Sequence, residues 1–494
     1  KLNCREDFVN FRHMFDTIAQ SVDIVWVRNL LLALYMLTTI SIVVVVLSEN
    51  RNPVKSLAWV TVLLLLPMVG IILYLFFGRN IQNTRKMSRA NRRRLKRRDT
   101  VATLDPRELP LTAESVQQAG LARSLTGAPL YACADVQVYT SGAEKFADLK
   151  ADLRAARQYI NIEYYIFEND RIGSEIAEIL IERALAGVQV RVIYDHVGSF
   201  SVKSGFFKRM RRAGISVYPF FEVTFPQLGT RINWRNHRKL CVIDGRVGYM
   251  GGMNIADRYI DGGRKFASWR DTHVRVTGPV VAALQYTFAV DWHFMGQPLI
   301  EEPVQPEPAG HSQVAAHIVT SGPTSPWSSI ELMFHKVISS ARRRVFIQTP
   351  YFLPTETLLK DLTTASLAHV DVRIMLPRRS DSHLLDLASA SYISECLRAG
   401  VKIYFYDAGM LHSKCIIVDD ELVTIGSTNF DFRSFEHNFE GNLFFYSRQL
   451  NSRMLDIYRD DLRRSSRVIA SEWHRRPLVR RALESVVRLM SPIL

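Results

Sequence analysis

The chain has 494 residues, of which 47% are hydrophobic and 22% are charged, a composition typical of globular rather than disordered proteins. Its five cysteines lie far apart in the sequence, which argues against both a disulfide framework and a zinc site. The net charge of +15 is concentrated between residues 79 and 98, where ten lysines and arginines occur without an acidic residue. Without those ten residues the net charge would be only +5, which argues against a nucleic-acid-binding face spread over a domain.

Two apolar runs precede this basic cluster and predict a transmembrane hairpin over residues 29–78. The runs at 29–47 and 57–77 contain 19 and 21 uncharged residues, and about 20 are needed to cross a bilayer. Two buried core helices are the alternative, which the lengths disfavour. The cations of the juxtamembrane linker 79–130 follow the second run, so the positive-inside rule places all later residues, and also the segment 1–28, in the cytoplasm. The same cations could also hold anionic lipid.

From residue 131 the sequence alternates strand and helix patterns and repeats itself. The matched strand segments are 159–167 with 344–352, 186–194 with 368–376, and 211–220 with 397–406. This rhythm predicts an α/β protein with two tandem mixed β-sheet domains, 131–298 and 313–470, which have flanking helices and a pseudo-two-fold relation. A proline-rich linker, 299–312, joins them. In the C-terminal segment 471–494 the apolar residues share one helical face, which fits either an interfacial helix or a helix packed on the core.

The strongest signal is a His-x-Lys-x4-Asp motif that occurs once in each repeat. Its members are His237, Lys239 and Asp244 in the first copy, and His412, Lys414 and Asp419 in the second. Each motif is followed by a Gly-Gly/Ser-x-Asn turn, which ends at Asn254 or Asn429. One copy alone would be weak evidence, whereas two copies in register within a duplicated fold predict a shared site.

This set of residues suits the chemistry of a phosphodiester. Residues i and i+2 of a strand face the same side, so His237 and Lys239 point together, as do His412 and Lys414. The lysines and the asparagine amides would bind the non-bridging oxygens and offset the charge of the transition state, which makes a metal unnecessary. One neutral imidazole can attack phosphorus and form a phosphohistidine, while the other donates a proton to the leaving alkoxide.

Four carboxylates accompany the motifs. An attacking imidazole needs its second ring nitrogen held, and the candidates for this orienting role are Asp271 and Glu440, which follow the first and second motif respectively. Asp244 and Asp419 complete the motifs and belong to the candidate catalytic set. They lie at the far ends of apolar strands, however, and strand alternation favours a structural role for both.

These residues resemble the phospholipase D superfamily, whose mark is the duplicated H-x-K-x4-D with a following G-[GS]-x-N. Within it the chain is similar to the bacterial cardiolipin synthases in its hairpin, in the segments "NHRKL", "LHSK" and "TPYFLP", and in its ending "RRPLVRRALESVVRLMSPIL". The resemblance implies a phosphatidyltransferase that joins two phosphatidylglycerols into cardiolipin and releases glycerol, without a cofactor. By analogy His237 is the nucleophile and His412 the general acid and base. Ser427 could contact phosphate on one side only, because the first copy has Gly252.

The resemblance also implies a multi-pass protein of the bacterial inner membrane with its catalytic domains on the cytoplasmic side. Its partners would be phosphatidylglycerol, cardiolipin and an anionic membrane surface, but not nucleic acid, and a homodimer stays open. The first rival function is a membrane-bound phospholipase D hydrolase that releases phosphatidic acid. A nuclease of the same superfamily is disfavoured by the apolar hairpin, and a non-enzymatic scaffold by the two intact motifs.

Overall fold

The computed structural model describes residues 24–48, 53–66, 69–74, 91, 101–223, 233–300, 302–310 and 314–491. The predicted basic cluster lies outside these residues apart from residue 91, as does most of the segment 1–28. The chain divides into two compact units, residues 1–79 and 80–494.

The described residues of the first unit form helices. Helix α1 (Ile24–Ser48) contains a stretch of 21 residues that is long and apolar enough to cross a membrane. Helix α2 (Pro53–Leu65) begins with a proline, whose fixed φ suits the first helical turn, and α3 (Val69–Leu73) follows. The Tyr35 hydroxyl donates to the Leu63 carbonyl over 3.1 Å, so α1 and α2 pack together. The second predicted span lies partly outside the described residues, and the hairpin therefore stays a prediction.

The second unit holds the motifs. Its helices are α4 (Ala113–Thr126), α5 (Gly142–Ala155), α6 (Arg171–Leu185), α7 (Ser204–Arg212), α8 (Arg258–Asp261), α9 (Val281–Phe294), α10 (Ser329–Ser339), α11 (Glu356–Leu367), α12 (His383–Arg398), α13 (Phe432–Glu436), α14 (Arg448–Arg463), α15 (Ala470–His474) and α16 (Leu478–Arg488).

Its strands are β1 (Tyr131–Cys133), β2 (Asp135–Tyr139), β3 (Tyr159–Tyr164), β4 (Gln189–Asp195), β5 (Ser216–Phe220), β6 (Arg235–Asn236), β7 (Lys239–Ile243), β8 (Val247–Gly251), β9 (Trp269–Arg270), β10 (His273–Thr277), β11 (Val314–Ser321), β12 (Arg344–Gln348), β13 (Phe352–Leu353), β14 (Asp371–Pro377), β15 (Lys402–Tyr406), β16 (Met410–Leu411), β17 (Cys415–Val418), β18 (Leu422–Gly426), β19 (Phe430–Asp431), β20 (Asn438–Tyr446) and β21 (Ser465–Arg467).

Two mixed sheets share one strand order, which confirms the predicted pair of duplicated α/β domains. The first sheet runs β2-β10-β8-β7-β3-β4-β5, and the core of the second runs β11-β20-β18-β17-β12-β14-β15. In each sheet the last three strands are parallel, as expected where helices cross over between strands. The second sheet gains β21 at one edge and β1 at the other, so β1 pairs with the second sheet although it begins the first predicted domain.

Two short parallel pairs tie the domains together beside the motifs. Strand β6 of the first domain pairs with β20 of the second, and β16 of the second pairs with β9 of the first. Each strand that leads into a motif histidine therefore lies against a strand of the opposite domain. This exchange places both motifs at the interface between the two domains.

Candidate active site

Both motif histidines are fixed at the backbone by the opposite domain. His237 lies between β6 and β7, and its N–H donates to the Phe439 carbonyl over 2.9 Å. His412 lies between β16 and β17, and its N–H donates to the Arg270 carbonyl over 2.7 Å. Both side chains are largely buried, at 8% and 6% residue exposure. The two imidazoles are thus held in equivalent settings on the two sides of the interface.

The ring of His237 is oriented by Glu440 of the second domain. His237 Nδ1 lies 2.8 Å from Glu440 Oε1, and the second carboxylate oxygen accepts a hydrogen bond from the Ser427 hydroxyl. Burial lowers the pKa of His237 to about 4, more than the Glu440 charge raises it. Burial works against the Glu440 carboxylate, but His237 and Lys239 outweigh it, so its pKa is lowered. The pair at neutral pH is therefore a neutral imidazole bonded to a carboxylate.

The ring of His412 is oriented in the same way by Asp271 of the first domain. His412 Nδ1 lies 2.6 Å from Asp271 Oδ2, while Asp271 Oδ1 accepts from the Thr272 N–H over 2.7 Å. Burial and the charge of Lys414 lower the pKa of His412 to about 4. A carboxylate on Nδ1 directs the free Nε2 toward the site. Both predicted orienting residues thus act on the histidine of the opposite copy.

The two lysines of the motifs are fully enclosed beside the histidines. Lys239 Nζ donates to the His237 carbonyl over 2.5 Å, and Lys414 Nζ donates likewise to the carbonyl of His412. Burial lowers the pKa of Lys239 well below its usual range and that of Lys414 to about 8. The Lys414 charge also lowers the pKa of His237 in the other motif. Because each motif histidine also contacts a carboxylate of the opposite domain, the two motifs lie in one region.

Asp244 and Asp419 lie at the opposite ends of their strands from the histidines. Both adopt a left-handed backbone conformation, with φ of 52° and 48°, in the turns that follow β7 and β17. The carboxylate of Asp244 accepts from three backbone N–H groups, those of residues 157–159. The carboxylate of Asp419 does the same for residues 342–344. Each aspartate therefore joins its turn to the beginning of the neighbouring strand.

The two motif asparagines occupy different settings. The side chain of Asn254 accepts from the Ile166 N–H over 3.1 Å and donates to the Tyr259 hydroxyl, so it joins loops of the first domain. Asn429 is buried, and its amide oxygen has no hydrogen-bond partner within the described part of the chain. Of the two predicted substrate ligands, Asn429 is the one that retains an unused polar atom.

Two buried arginines bond to the backbone of the orienting residues and were not predicted from the sequence. Arg238 pairs with Asp291, and its Nε donates to the Glu440 carbonyl over 3.0 Å. Arg270 pairs with Asp461 at 2.8 Å, and its Nη1 donates to the Asp271 carbonyl over 2.7 Å. Each backbone carbonyl is that of an orienting residue. The "HRK" and "WRD" triplets that contain these arginines were the available signal, but their partners lie on distant helices.

Aromatic rings form the walls around the imidazoles and were also missed. Tyr165 lies edge-on to His237 with ring centroids 5.0 Å apart, and Trp269 lies 5.2 Å from the ring of His412. The indole N–H of Trp269 is buried without an acceptor among the described residues. Its position beside a motif histidine makes this N–H a candidate donor to a substrate oxygen.

Comparisons with known families agree with this architecture. Residues 149–292 and 334–462 match the family described as "Cardiolipin synthase, PLD-like domain". Residues 36–79 match the family described as "Phospholipase_D-nuclease N-terminal". The two matches to the cardiolipin synthase family cover both motifs. The match to the N-terminal family covers most of the two predicted membrane spans.

Curated relatives match along nearly the whole chain. A cardiolipin synthase of Halalkalibacterium halodurans is 38% identical over 95% of this chain and 95% of its own length. The major cardiolipin synthase of Bacillus subtilis is 37% identical over 95% of this chain and 100% of its own length. Among solved structures, the phosphatidylserine synthase of Haemophilus influenzae superposes with a TM-score of 0.59 over 76% of this chain and all of that chain. At 14% identity, that last match supports the fold alone.

Proposed function

The chain belongs to the cardiolipin synthases of the phospholipase D superfamily, and from this premise we propose that it transfers a phosphatidyl group between two phosphatidylglycerols. The products are cardiolipin and glycerol. The observation that carries the proposal is the pair of buried histidines, each bonded at Nδ1 to a carboxylate of the opposite domain. Two such imidazoles supply the nucleophile and the proton carrier that a two-step transfer requires.

In the first half-reaction, Nε2 of His237 attacks phosphorus of the first phosphatidylglycerol. The N–P bond forms as the bond from phosphorus to the glycerol oxygen breaks, and His412 gives its proton to that oxygen. A lowered pKa of about 4 suits the nucleophile, because it keeps the attacking lone pair free at neutral pH. Glu440 stabilises the positive charge that develops on the ring.

In the second half-reaction, a hydroxyl of the second phosphatidylglycerol loses its proton to His412 and attacks phosphorus. The new P–O bond forms as the N–P bond breaks, which restores His237. A phosphodiester anion beside His412 favours the imidazolium that the first half-reaction needs. The two buried lysines offset the negative charge on the non-bridging oxygens, to which the indole N–H of Trp269 is a further donor, while the free Oδ1 of Asn429 can accept a hydrogen bond from a glycerol hydroxyl.

The membrane-related expectations are part of the same proposal. The chain spans the inner membrane twice, through α1 and through the apolar run 57–77, with both domains on the cytoplasmic side. An anionic membrane surface and phosphatidylglycerol are then its partners, and nucleic acid is not. One chain supplies both motifs, so the site needs no second copy, and a homodimer would be an additional feature.

The reaction is tested by incubating the purified full-length protein with phosphatidylglycerol in mixed micelles and analysing the lipids by mass spectrometry. We expect cardiolipin and an equal amount of glycerol. Phosphatidic acid without cardiolipin would instead identify a hydrolase. The variants His237→Ala and His412→Ala should both lose synthesis. His335→Ala is the matched control, because His335 is a half-exposed histidine that pairs with Asp361 on the surface.

The order of the two histidines is tested by trapping the intermediate. Phosphatidylglycerol labelled at phosphorus is mixed briefly with each variant, and the denatured protein is digested and sequenced by mass spectrometry. If His237 is the nucleophile, the unmodified enzyme carries the label on the peptide that contains His237, and the His237→Ala variant carries no label. Label on the His412 peptide of the unmodified enzyme would reverse the assignment.

A further inference from the structure

The C-terminal helix α16 is amphipathic, but it is turned the opposite way from a helix that packs on a core. At 100° per residue its leucines, valines and alanine fall on one side and its charged residues on the other. A helix at the surface of a soluble domain normally buries the apolar side. In α16 the most deeply buried residue is Glu484, at 2% exposure, whereas Val479 is 82% exposed.

The polar side of α16 is fixed to the protein by ion pairs. Glu484 accepts from two nitrogens of Arg476 at 2.7 and 3.0 Å and from Arg480 at 3.3 Å. At the C-terminal end of the helix, Arg488 pairs with Glu395 of α12 at 3.6 Å. Val487, at the border of the two sides, is the one apolar residue of the helix that packs into the core of the second domain. The ion pair with α12 and the packing of Val487 fix which side of the helix faces outward.

The outward side carries an apolar surface that we call the C-terminal ridge. Its members and their exposures are Leu478 77%, Val479 82%, Leu483 49%, Val486 60%, Leu489 81% and Met490 40%. Exposed Arg480 and Arg481 flank this ridge by their helical positions, and exposed Arg475 lies in the turn before the helix. Residues 471–494 contain five arginines and two glutamates, so the segment is cationic overall. An apolar strip with a cationic border is the composition of a helix that lies in the plane of a membrane interface.

We propose that the C-terminal ridge is a second membrane contact, in which α16 lies on an anionic lipid surface with its apolar side chains among the acyl chains. The bordering arginines then extend to lipid phosphates while their aliphatic parts cover the apolar strip. The contact deepens the proposed membrane location but does not depend on the catalytic mechanism. It gives the catalytic domains an attachment of their own to the surface that contains their substrate.

A second protein copy explains the ridge less well than lipid. Helix α16 has 11 residues, which corresponds to a length of about 16 Å. One face of so short a helix is much smaller than the ~800 Å² per partner of a stable protein interface. A symmetric dimer through the ridge would also bring the cationic borders of two copies together, where like charges repel. Anionic headgroups match both the apolar strip and its charge.

The proposal is tested with the full-length protein in nanodiscs that contain phosphatidylglycerol. The four described cysteines are buried, so in a Cys4→Ser background a single introduced cysteine can be labelled selectively with an environment-sensitive fluorophore. We expect a label at Val479→Cys to be quenched by lipids brominated on their acyl chains. A label at Leu367→Cys, at an exposed leucine outside the ridge at the end of α11, should be quenched much less.

Equal quenching at the two positions would overturn the proposal. So would quenching at Val479 that does not change when phosphatidylglycerol is replaced by a zwitterionic lipid. Crosslinking of Val479→Cys between two copies, with the label shielded from bilayer lipid, would assign the ridge to a dimer instead.

Function is tested with the double variant Val479→Asp/Val486→Asp. We expect it to lose cardiolipin synthesis in bilayers while it retains turnover of a short-chain, monomeric phosphatidylglycerol. The control is Leu367→Asp, which places the same charge at an exposed leucine at the end of α11, 66% exposed. Equal synthesis by the double variant and the control in bilayers would contradict the proposal. Failure of the unmodified enzyme with either substrate would refute the proposed function and leave the quenching result unaffected.

Discussion

At the level of single residues, the orienting carboxylates of the two halves have different neighbours at equivalent positions of the repeat. In one half Ser427 donates to Glu440, and in the other Gly252 faces Asp271. A Cβ atom at position 252 would lie 2.1 Å from Asp271 Oδ1, which is too close for any side chain. Ser427 thus serves the orienting carboxylate in this structure, although the sequence suggested a contact with phosphate.

This pairing predicts unequal effects of two small substitutions. Gly252→Ala should displace Asp271 and with it His412, and a misplacement of this size lowers kcat/KM by about a hundredfold. Ser427→Ala removes the hydrogen bond to the Glu440 carboxylate and the one accepted from the Gly441 N–H but pushes no side chain aside, so kcat/KM should fall by less, about tenfold. Steady-state kinetics and thermal unfolding of both variants check this. A larger loss for Ser427→Ala than for Gly252→Ala would contradict the pairing.

Glu163 is a fully buried carboxyl group, and the duplicated fold supplies a comparison for it. Burial and the neighbouring Asp291 raise its pKa well above the usual range. At the equivalent position of β12 the second domain has Gln348, whose amide donates to Asp461 over 2.8 Å. Because the folded state holds a proton that the unfolded state releases, Glu163 lowers stability as the pH rises above its unfolded pKa of about 4.3.

Glu163→Gln should therefore keep activity near that of the unmodified enzyme and raise the unfolding temperature at pH 7.5. The expected gain in unfolding free energy is of the order of 1 kcal/mol, and it should shrink as the pH falls toward 4.5. Glu163→Leu removes the hydrogen bond from Asn236 and should lose stability. A loss of stability in Glu163→Gln at pH 7.5 would show that the ionised form is the one needed.

At the level of elements, the turns after β7 and β17 depend on Asp244 and Asp419. Replacing either by alanine removes three hydrogen bonds to backbone N–H groups, which should lower the free energy of unfolding by about 3 kcal/mol. The histidines lie at the other end of the same strands, so the protein that remains folded should retain most of its kcat. Complete loss of turnover with an unchanged unfolding temperature would give the aspartates a catalytic role.

The longer elements could be predicted from the sequence, whereas the contacts between the domains could not. β3 and β12 are matched strands of six and five residues, rich in β-branched and aromatic residues, and such strands are long enough to have a readable period. β6, β9 and β16 have two residues each, which is too short for any period. These short pairs nevertheless bring Glu440 to His237, which lies 203 residues away in the sequence. Helix α16 could be predicted, but the side that it exposes is set by its tertiary contacts, the ion pair with α12 and the core packing of Val487.

For the whole molecule, the burial of several histidines should lower the free energy of unfolding in acid. Burial lowers the pKa of His273 well below its usual range and that of His317 to about 3, as it does for the two motif histidines. Between their folded pKa values and the unfolded value near 6.5, the unfolded chain binds more protons than the folded one. Stability from these groups is therefore complete above pH 6.5 and is lost progressively as the pH falls below it.

His317 allows this linkage to be measured apart from catalysis. Its ring packs against Phe444 and Tyr446, with centroids 5.7 and 5.5 Å away, and His317→Phe keeps an aromatic ring there without a titrating group. Each unit of pH below 6.5 costs the unmodified protein roughly 1.4 kcal/mol through this one residue. The difference in unfolding free energy between the two proteins should thus be constant above pH 6.5 and change by roughly 3 kcal/mol in favour of the variant by pH 4.5. A difference that stays constant from pH 7.5 to 4.5 would mean that His317 accepts a proton as readily when folded as when unfolded. Because the motif histidines are enclosed in the same way, the acid range in which this variant gains is also the range in which the site is least stable.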